Sequence, residues 1–267
     1  MVKHLKKEYK VIKITRNDYN SLQKLEYIVS CADVVINLAG ANIVKRWTPK
    51  YKKVLINSRV DTTKNLVTAI NRVANKPSLL ISTSAVGIYN NIDIHTESSK
   101  NYSTGFLGVL AKNWEDEALK ANTKIAILRF GVILGNGGIL EKIKLPFKLG
   151  LGGTLGSGKQ DFSFLHIEDL LRAYKHIIEN ENLDGTFNLV SPTHITNKVF
   201  TKTLGKVLNR PTILPVPKFV LRLALGEAVS VVAKGQKVLP QKLLESGFEF
   251  KYKTILDTLT SILGDKK

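Results

Sequence analysis

Short apolar runs alternate with longer stretches of helical periodicity through the first half of the chain. Apolar residues recur at helical spacing over residues 47–73 and 106–120. Continuous apolar strands separated by helices are typical of a parallel sheet that is buried on both faces. The pattern predicts an α/β fold with a doubly wound parallel sheet. Its candidate strands are residues 9–15 (YKVIKIT), 34–38 (VVINL), 79–84 (LLISTS) and 125–130 (IAILRF).

The second half of the chain differs in composition. Residues 135–158 are rich in glycine, and from about residue 191 onward prolines surround helical segments. The change predicts that residues 1–135 and 163–190 form the sheet domain. Residues 136–162 and 191–267 are predicted to form a smaller C-terminal α+β domain, which we expect to close over a substrate.

The composition limits the classes of function. The 267 residues, 43% of them apolar, suffice for a sizeable core. No apolar run approaches the ~18–20 residues of a membrane span, and the residues after Met1 lack the apolar region of a secretory signal. Cys31 is the single cysteine, which fits a reducing compartment. We therefore expect a cytoplasmic protein with no membrane partner, and the sequence leaves monomer and homodimer open.

The net charge of +18 raises the question of a polyanionic partner. Only 8 of the 40 basic residues are arginine, and the lysines are spread along the whole chain. Base readout favours arginine, and single-strand binding requires interleaved aromatic residues. We therefore expect no specific nucleic-acid partner, only weak, salt-dependent adhesion to polyanions. The five histidines show no metal-ligand spacing, so no metal site is expected.

Small or polar residues follow each predicted strand, where parallel sheets bind their ligands. An arginine at position 16 can hold a ribose 2′-phosphate, which favours NADP over NAD. The Ser84 hydroxyl can reach a substrate hydroxyl or carbonyl. Each residue also has a structural interpretation, with Arg16 as a surface cation and Ser84 as a helix cap. The candidate cofactor contacts at these strand ends are Thr15, Arg16, Leu38, Ala39, Gly40, Thr83, Arg129 and Gly131.

Ordered motifs along the chain resemble the extended short-chain dehydrogenase/reductase superfamily. Within it, the chain is most similar to the epimerase-like NAD(P)-binding family, whose members are often described as nucleoside-diphosphate-sugar epimerases and carry their own C-terminal domain. The resemblance implies a Rossmann-like domain that binds NADP. It adds Arg59 to the candidate cofactor contacts and implies a substrate cleft with Gln160, Phe164 and His166 at its mouth. The motifs are NLAG (37–40), SRVDTT (58–63), STSAVGIY (82–89), NWE (113–115), RFGVILG (129–135), GSGKQDFSFLHIEDL (156–170), RPTILPVP (210–217) and GQKVLPQKLLESGFEF (235–250).

The chain departs from this family at its start. Members open with a strand and a Gly-x-x-Gly-x-x-Gly turn that holds the cofactor pyrophosphate, and no such turn is found here. We expect that the first, central strand is missing, through a truncated or a decayed gene. The strands at residues 9–15 and 34–38 should then lie at about twice the usual ~4.8 Å spacing. This form of the chain should also bind NADP poorly and be less stable than an upstream-extended one.

The second departure concerns catalysis. Active members of the superfamily use a Tyr-x-x-x-Lys pair, and the matching positions here are Leu107 and Ala111. Tyr89 is the nearest replacement for the missing tyrosine, although a tyrosine there can equally cap the substrate pocket. Ser84 and Tyr89 are therefore the candidate catalytic residues. The leading hypothesis is an NADP-dependent oxidoreductase or epimerase-like enzyme for a small substrate, of which a nucleotide sugar is one candidate. A non-catalytic NADP-binding regulator and a decayed member without cofactor remain alternatives.

Overall fold

The computed structural model describes residues 1–217, 219, 222–223 and 226–264. Its largest sheet is four-stranded and parallel, with the strand order β1-β2-β4-β7. Short two-stranded pairs join β3 to β8 and β5 to β6. The strands are β1 (Val34–Asn37), β2 (Leu79–Ala85), β3 (Ile94–His95), β4 (Lys124–Phe130), β5 (Val132–Leu134), β6 (Phe164–His166), β7 (Gly185–Leu189) and β8 (Lys237–Val238).

Several helices begin at a residue whose side chain accepts a hydrogen bond from the first turn. Thr48 does so for α3, where proline occupies the first helical position, and His166 does so for α7. A π-helical turn at Asn57–Asp61 joins α3 to α4. The helices are α1 (Val2–Leu5), α2 (Leu22–Ser30), α3 (Pro49–Ile56), α4 (Thr62–Arg72), α5 (Phe106–Ala118), α6 (Gly138–Lys148), α7 (Ile167–Glu179), α8 (Asn197–Val207), α9 (Ser230–Ala233), α10 (Gln241–Glu245) and α11 (Ile255–Leu263).

Helices cover both faces of the large sheet, so the predicted doubly wound arrangement is confirmed. On one face, Ile81 and Phe187 pack with Tyr174 of α7. On the other face, Leu80 packs with Leu66 of α4 and with residues of α2. The predicted strands at 34–38, 79–84 and 125–130 are confirmed as β1, β2 and β4, and the helix at 106–120 is confirmed as α5.

The strand predicted at residues 9–15 is wrong. Residues 10–15 are irregular and pair with no strand in the described part of the chain, and a 3-10 turn at Arg16–Asn20 follows them. A strand needs a neighbour to satisfy its backbone groups, and the outer edge of β1 is likewise unpaired within the described residues. The expected double spacing between strands at residues 9–15 and 34–38 therefore cannot be measured, because of these only residues 34–37 form a strand.

The C-terminal part contributes to two cores. Phe147 of α6, Leu204 of α8 and Leu259 of α11 share a cluster that unites residues from 136–162 and 191–264. Phe248 and Phe250 pack instead with the sheet residues covered by α7. The packing of Phe248 and Phe250 fixes the C-terminal residues to the large sheet. The division into two domains remains a prediction.

Candidate functional site

The turn after β1 is anchored by hydrogen bonds of the Asn37 side chain. Its side chain is buried, donates to Thr63 Oγ1 at 2.7 Å and accepts from the Ala39 backbone N–H at 3.1 Å. Leu38 remains 47% exposed and Gly40 is exposed as well. The candidate contacts Leu38, Ala39 and Gly40 therefore form an anchored turn of small and apolar residues at the carboxyl end of the sheet, accessible to a ligand.

Arg59 supports the same turn from the side. Its Nη2 donates to the Ala41 carbonyl at 3.0 Å, and its guanidinium lies over the Trp114 ring. A Cβ atom added to Gly40 would lie 3.1 Å from the Arg59 Cζ, so glycine allows this close approach. Burial lowers the pKa of Arg59, and among the described residues only carbonyls accept from its guanidinium. The turn thus holds a desolvated positive charge without a carboxylate partner.

Thr83 presents a buried polar atom beside this turn. The β1–β2 register pairs Asn37 with Ser82, which places Thr83 next to Leu38. The Thr83 hydroxyl is buried and has no hydrogen-bond partner within the described chain. The Tyr174 hydroxyl lies near it without meeting hydrogen-bond geometry, and burial raises the pKa of Tyr174. The Thr83 hydroxyl is therefore a candidate hydrogen-bonding group for a ligand at the strand end, with the Tyr174 hydroxyl as its neighbour inside the protein.

These features fit a nicotinamide dinucleotide in part. The small turn at 38–40, the Arg59 charge and the unpaired Thr83 hydroxyl suit a ribose and a phosphate. Within the described residues, no strand of the large sheet leads through a glycine-rich turn into a helix N-terminus that would cradle a pyrophosphate. The described residues therefore offer candidate contacts for a ribose and a phosphate, and no glycine-rich turn for a pyrophosphate.

A buried ion pair lies below the next strand ends. Arg129 Nε and Nη2 donate to the two carboxylate oxygens of Glu115 at 2.8 and 2.6 Å, and Ser84 Oγ donates to Glu115 Oε1 at 2.6 Å. Arg129, Glu115 and Ser84 are all at most 5% exposed. Burial alone would lower the pKa of Arg129, but the hydrogen bonds and charge of Glu115 outweigh it and raise the pKa. Arg129 is thus fully engaged inside the protein.

Tyr89 belongs to the same network. Arg129 Nη1 donates to the Tyr89 hydroxyl at 2.6 Å, and that hydroxyl is 3.0 Å from both Asn188 Oδ1 and the Thr96 carbonyl. Burial raises the pKa of Tyr89, although Arg129 opposes the shift. A tyrosine that exchanges a proton near neutral pH needs a lowered pKa. The contacts of Ser84, Tyr89 and Arg129 favour a structural role, and their catalytic and cofactor assignments remain predictions.

Helix α5 carries no proton-transfer pair at the expected positions. Leu107 is half-buried and Ala111 is buried in an apolar cluster with Tyr89. Lys112 forms an ion pair with Asp116 one turn further along the helix. The cation in contact with Tyr89 is therefore Arg129, which cannot exchange protons near neutral pH.

The remaining predicted contacts lie at the surface or in packing positions. Thr15 and Arg16 are exposed, and the Thr15 hydroxyl donates to Asp18. Gly131 permits a close approach, because a Cβ there would lie 2.6 Å from the Ser163 carbonyl oxygen. Arg16 has no ion pair within the described residues, which leaves its guanidinium available to an anion.

The three expected substrate contacts have internal partners. Gln160 donates to the Leu155 carbonyl at 3.0 Å. Phe164 is buried beside Phe162 and other apolar residues. His166 is buried, accepts from the Glu168 N–H and lies 3.1 Å from Ser261 Oγ. These contacts explain the residues without a substrate, so their place at a cleft mouth remains a prediction.

Glu115 and Asn188 were not among the predicted site residues. Glu115 lies in the NWE motif and is buried. Its position on the apolar face of the predicted helix was the sequence feature that could have indicated a buried carboxylate. Asn188 lies in β7, and nothing in its local sequence indicates that it meets Tyr89. No group of three or more metal-binding side chains occurs in the described part of the chain. Nor does any helix there combine the length and apolar character of a membrane span.

Two tyrosine substitutions should differ in their effect on the free energy of unfolding. Tyr89→Phe removes a hydroxyl that contacts Arg129 and Asn188, so the free energy of unfolding should fall by about 1–3 kcal/mol. Tyr174→Phe removes a buried hydroxyl that makes no hydrogen bond within the described residues, so it should change the free energy of unfolding by less than ~0.5 kcal/mol or increase it. Urea unfolding of both variants measures the difference. Equal losses would contradict the assigned contacts.

Two sequence families match the chain. The NAD dependent epimerase/dehydratase family matches residues 2–190, and a domain of unknown function (DUF1731) matches residues 216–262. An epimerase family protein of Staphylococcus haemolyticus is 43% identical over 230 residues, covering 84% of this chain and 77% of the relative. The epimerase family protein YfhF of Bacillus subtilis is 39% identical over 240 residues, covering 88% and 79%.

A solved structure is similar over most of the fold. The human epimerase family protein SDR39U1 (isoform 2), solved with NADPH, superimposes with a TM-score of 0.85 at 30% identity. The match covers 91% of this chain and 86% of the human one. The similarity thus extends over both the large sheet and the C-terminal part.

Proposed function

The chain belongs to the NAD dependent epimerase/dehydratase family, and from this premise we propose that it binds NADP at the carboxyl ends of β1 and β2 as an NADP-dependent, epimerase-like oxidoreductase. The observation that carries the proposal is the turn at 38–41, where Arg59 and the unpaired Thr83 hydroxyl offer a charge and a hydrogen bond to a ligand. The NADPH in the human relative's structure supports the choice of cofactor.

The residues of this chain have distinct parts in the proposed site. Ala39 and Gly40 let a ribose approach the backbone, Thr83 hydrogen-bonds to it, and Arg59 faces a phosphate. Arg16 binds the 2′-phosphate that distinguishes NADP from NAD. When bound, the nicotinamide supplies or accepts a hydride. The substrate is a small carbonyl or alcohol, and a nucleotide sugar is one candidate.

A second candidate is an NADP-binding protein without catalysis. It is favoured by the engagement of the Ser84 and Tyr89 hydroxyls with Glu115 and Arg129, and by the raised pKa of Tyr89. The two candidates differ in one observable. Loss of reduced-nicotinamide absorbance with a panel of small carbonyls and nucleotide sugars supports the oxidoreductase, whereas binding without turnover supports the second candidate.

Two threonine variants test the site itself. Thr83→Val keeps the side-chain shape and removes a hydroxyl that has no hydrogen-bond partner among the described residues, so the free energy of unfolding should be unchanged. If the hydroxyl bonds to the cofactor, NADPH affinity should fall by about threefold to tenfold, as expected for one hydrogen bond. Fluorescence titration with NADPH measures the dissociation constants of the two proteins.

Thr258 provides the matched control. It lies on α11 and also has a buried hydroxyl without a partner, so Thr258→Val should alter neither stability nor NADPH affinity. Unchanged affinity in Thr83→Val would contradict the assigned contact. If the unsubstituted protein does not bind NADPH at millimolar concentration, the decayed alternative replaces the proposal.

A further inference from the structure

An exposed apolar face lies at one end of the C-terminal part. We define it by Leu145, Leu149, Leu151, Ile213 and Leu214, whose exposed fractions are 64%, 64%, 60%, 79% and 58%. Leu145 and Leu149 are one helical turn apart at the end of α6. A monomeric protein rarely exposes several large apolar side chains together without using them.

The two segments of this apolar face are joined by hydrogen bonds. Arg210 Nε donates to the Lys148 carbonyl at 2.7 Å, and the Val216 N–H donates to the Thr154 carbonyl at 2.9 Å. The side chains are therefore presented together by connected backbone, although they are distant in sequence.

A stripe of lysines borders the apolar face. Lys198, Lys202 and Lys206 follow each other at four-residue intervals on α8, and all three are exposed. Lys202 Nζ donates to the Thr212 carbonyl at 2.9 Å, directly before Ile213. Like charges at this spacing destabilise a helix, so the stripe is not explained by helix stability.

Two segments that contribute to the apolar face and the lysine stripe lack acidic residues. Neither residues 142–160 nor residues 197–226 contain an aspartate or glutamate, and both segments contain several lysines. Along these two segments the face is therefore apolar at its centre and basic at its border, and Glu141, one helical turn before Leu145, is the nearest acid along α6. An anionic surface with an apolar interior is its physical complement.

We propose that the apolar face and the lysine stripe bind peripherally to an anionic lipid bilayer. The leucines and isoleucine enter the acyl boundary, and the lysines remain at the headgroups. A second copy of the chain is disfavoured because two lysine stripes would meet. Nucleic acid is disfavoured because the apolar face offers aliphatic side chains in place of aromatic rings. This lipid binding departs from the absence of a membrane partner expected from the sequence, and it is independent of the cofactor site.

Vesicle sedimentation tests the proposal. The protein should bind phosphatidylcholine vesicles that contain phosphatidylglycerol and leave pure phosphatidylcholine vesicles unbound. The variant Lys198→Gln/Lys202→Gln/Lys206→Gln should partition about tenfold to hundredfold more weakly, as expected for three lysines at an anionic surface. Leu149→Ser/Ile213→Ser should weaken binding about threefold or more, since both side chains are exposed and should tolerate serine.

A charge-matched control separates this face from general adhesion of a basic protein. Lys50, Lys53 and Lys64 are exposed on α3 and α4, and their triple replacement by glutamine should leave vesicle binding within about twofold. Equal losses in the two triple variants would overturn the proposal. So would unchanged binding of Leu149→Ser/Ile213→Ser, a preference for duplex DNA over the vesicles, or dimerisation that these two serines abolish.

Discussion

Arg129→Met should lower the free energy of unfolding by about 3–5 kcal/mol, because it leaves the Glu115 carboxylate buried without its partner. Both side chains are at most 5% exposed, and the pair is bidentate. The Tyr89 hydroxyl would also lose the hydrogen bond that Arg129 donates, and the Glu115 carboxylate would keep only the hydrogen bond from Ser84. Urea unfolding monitored by circular dichroism gives the change in free energy.

An exposed ion pair on the same helix serves as the control. Lys112 and Asp116 are each 45% exposed, so Asp116→Asn should cost no more than ~0.5 kcal/mol. The double variant Glu115→Leu/Arg129→Met should recover part of the loss, since neither charge then remains buried. A cost below ~1 kcal/mol for Arg129→Met would show that the pair is not closed to water.

Arg16→Ala should abolish the preference for NADPH over NADH. A charge-assisted contact with the 2′-phosphate corresponds to about tenfold to hundredfold in affinity. Arg16 is exposed at the start of the 3-10 turn, so its removal should leave stability unchanged. Paired titrations with NADPH and NADH measure the ratio of dissociation constants.

Lys13 is the matched control for this prediction. It is exposed in the same segment, and Lys13→Ala should keep the ratio within about twofold. Equal affinities of the unsubstituted protein for NADPH and NADH would contradict the role of Arg16. An equal loss of preference in Lys13→Ala would show that net charge, and not this residue, sets the selectivity.

The central strands were predictable because burial on both faces leaves a local signal. Residues 79–81 and 125–128 are continuous apolar runs, and both lie in strands of the large sheet. Residues 9–15 have strand composition with interspersed lysines, yet they form no strand. Strand formation depends on a neighbouring strand, and that information is not contained in the segment itself.

The site was predictable only as far as topology determines it. Parallel strand ends indicated Leu38, Thr83 and Ser84 as neighbours at one edge of the sheet, and the register agrees. The partners of these residues come from distant positions. Ser84 meets Glu115 across 31 residues and Tyr89 meets Asn188 across 99, and no local pattern specifies either contact.

Hydrogen–deuterium exchange with and without NADPH tests the proposed location most directly. The backbone amides of residues 38–41 and 15–18 should exchange more slowly when NADPH is bound, because in the proposed site the turn after β1 and the segment carrying Arg16 contact the cofactor. Residues 255–263 of α11 should be unchanged. Protection confined to other residues, or no protection at NADPH concentrations that saturate the fluorescence change, would show that the cofactor does not bind at the turn after β1.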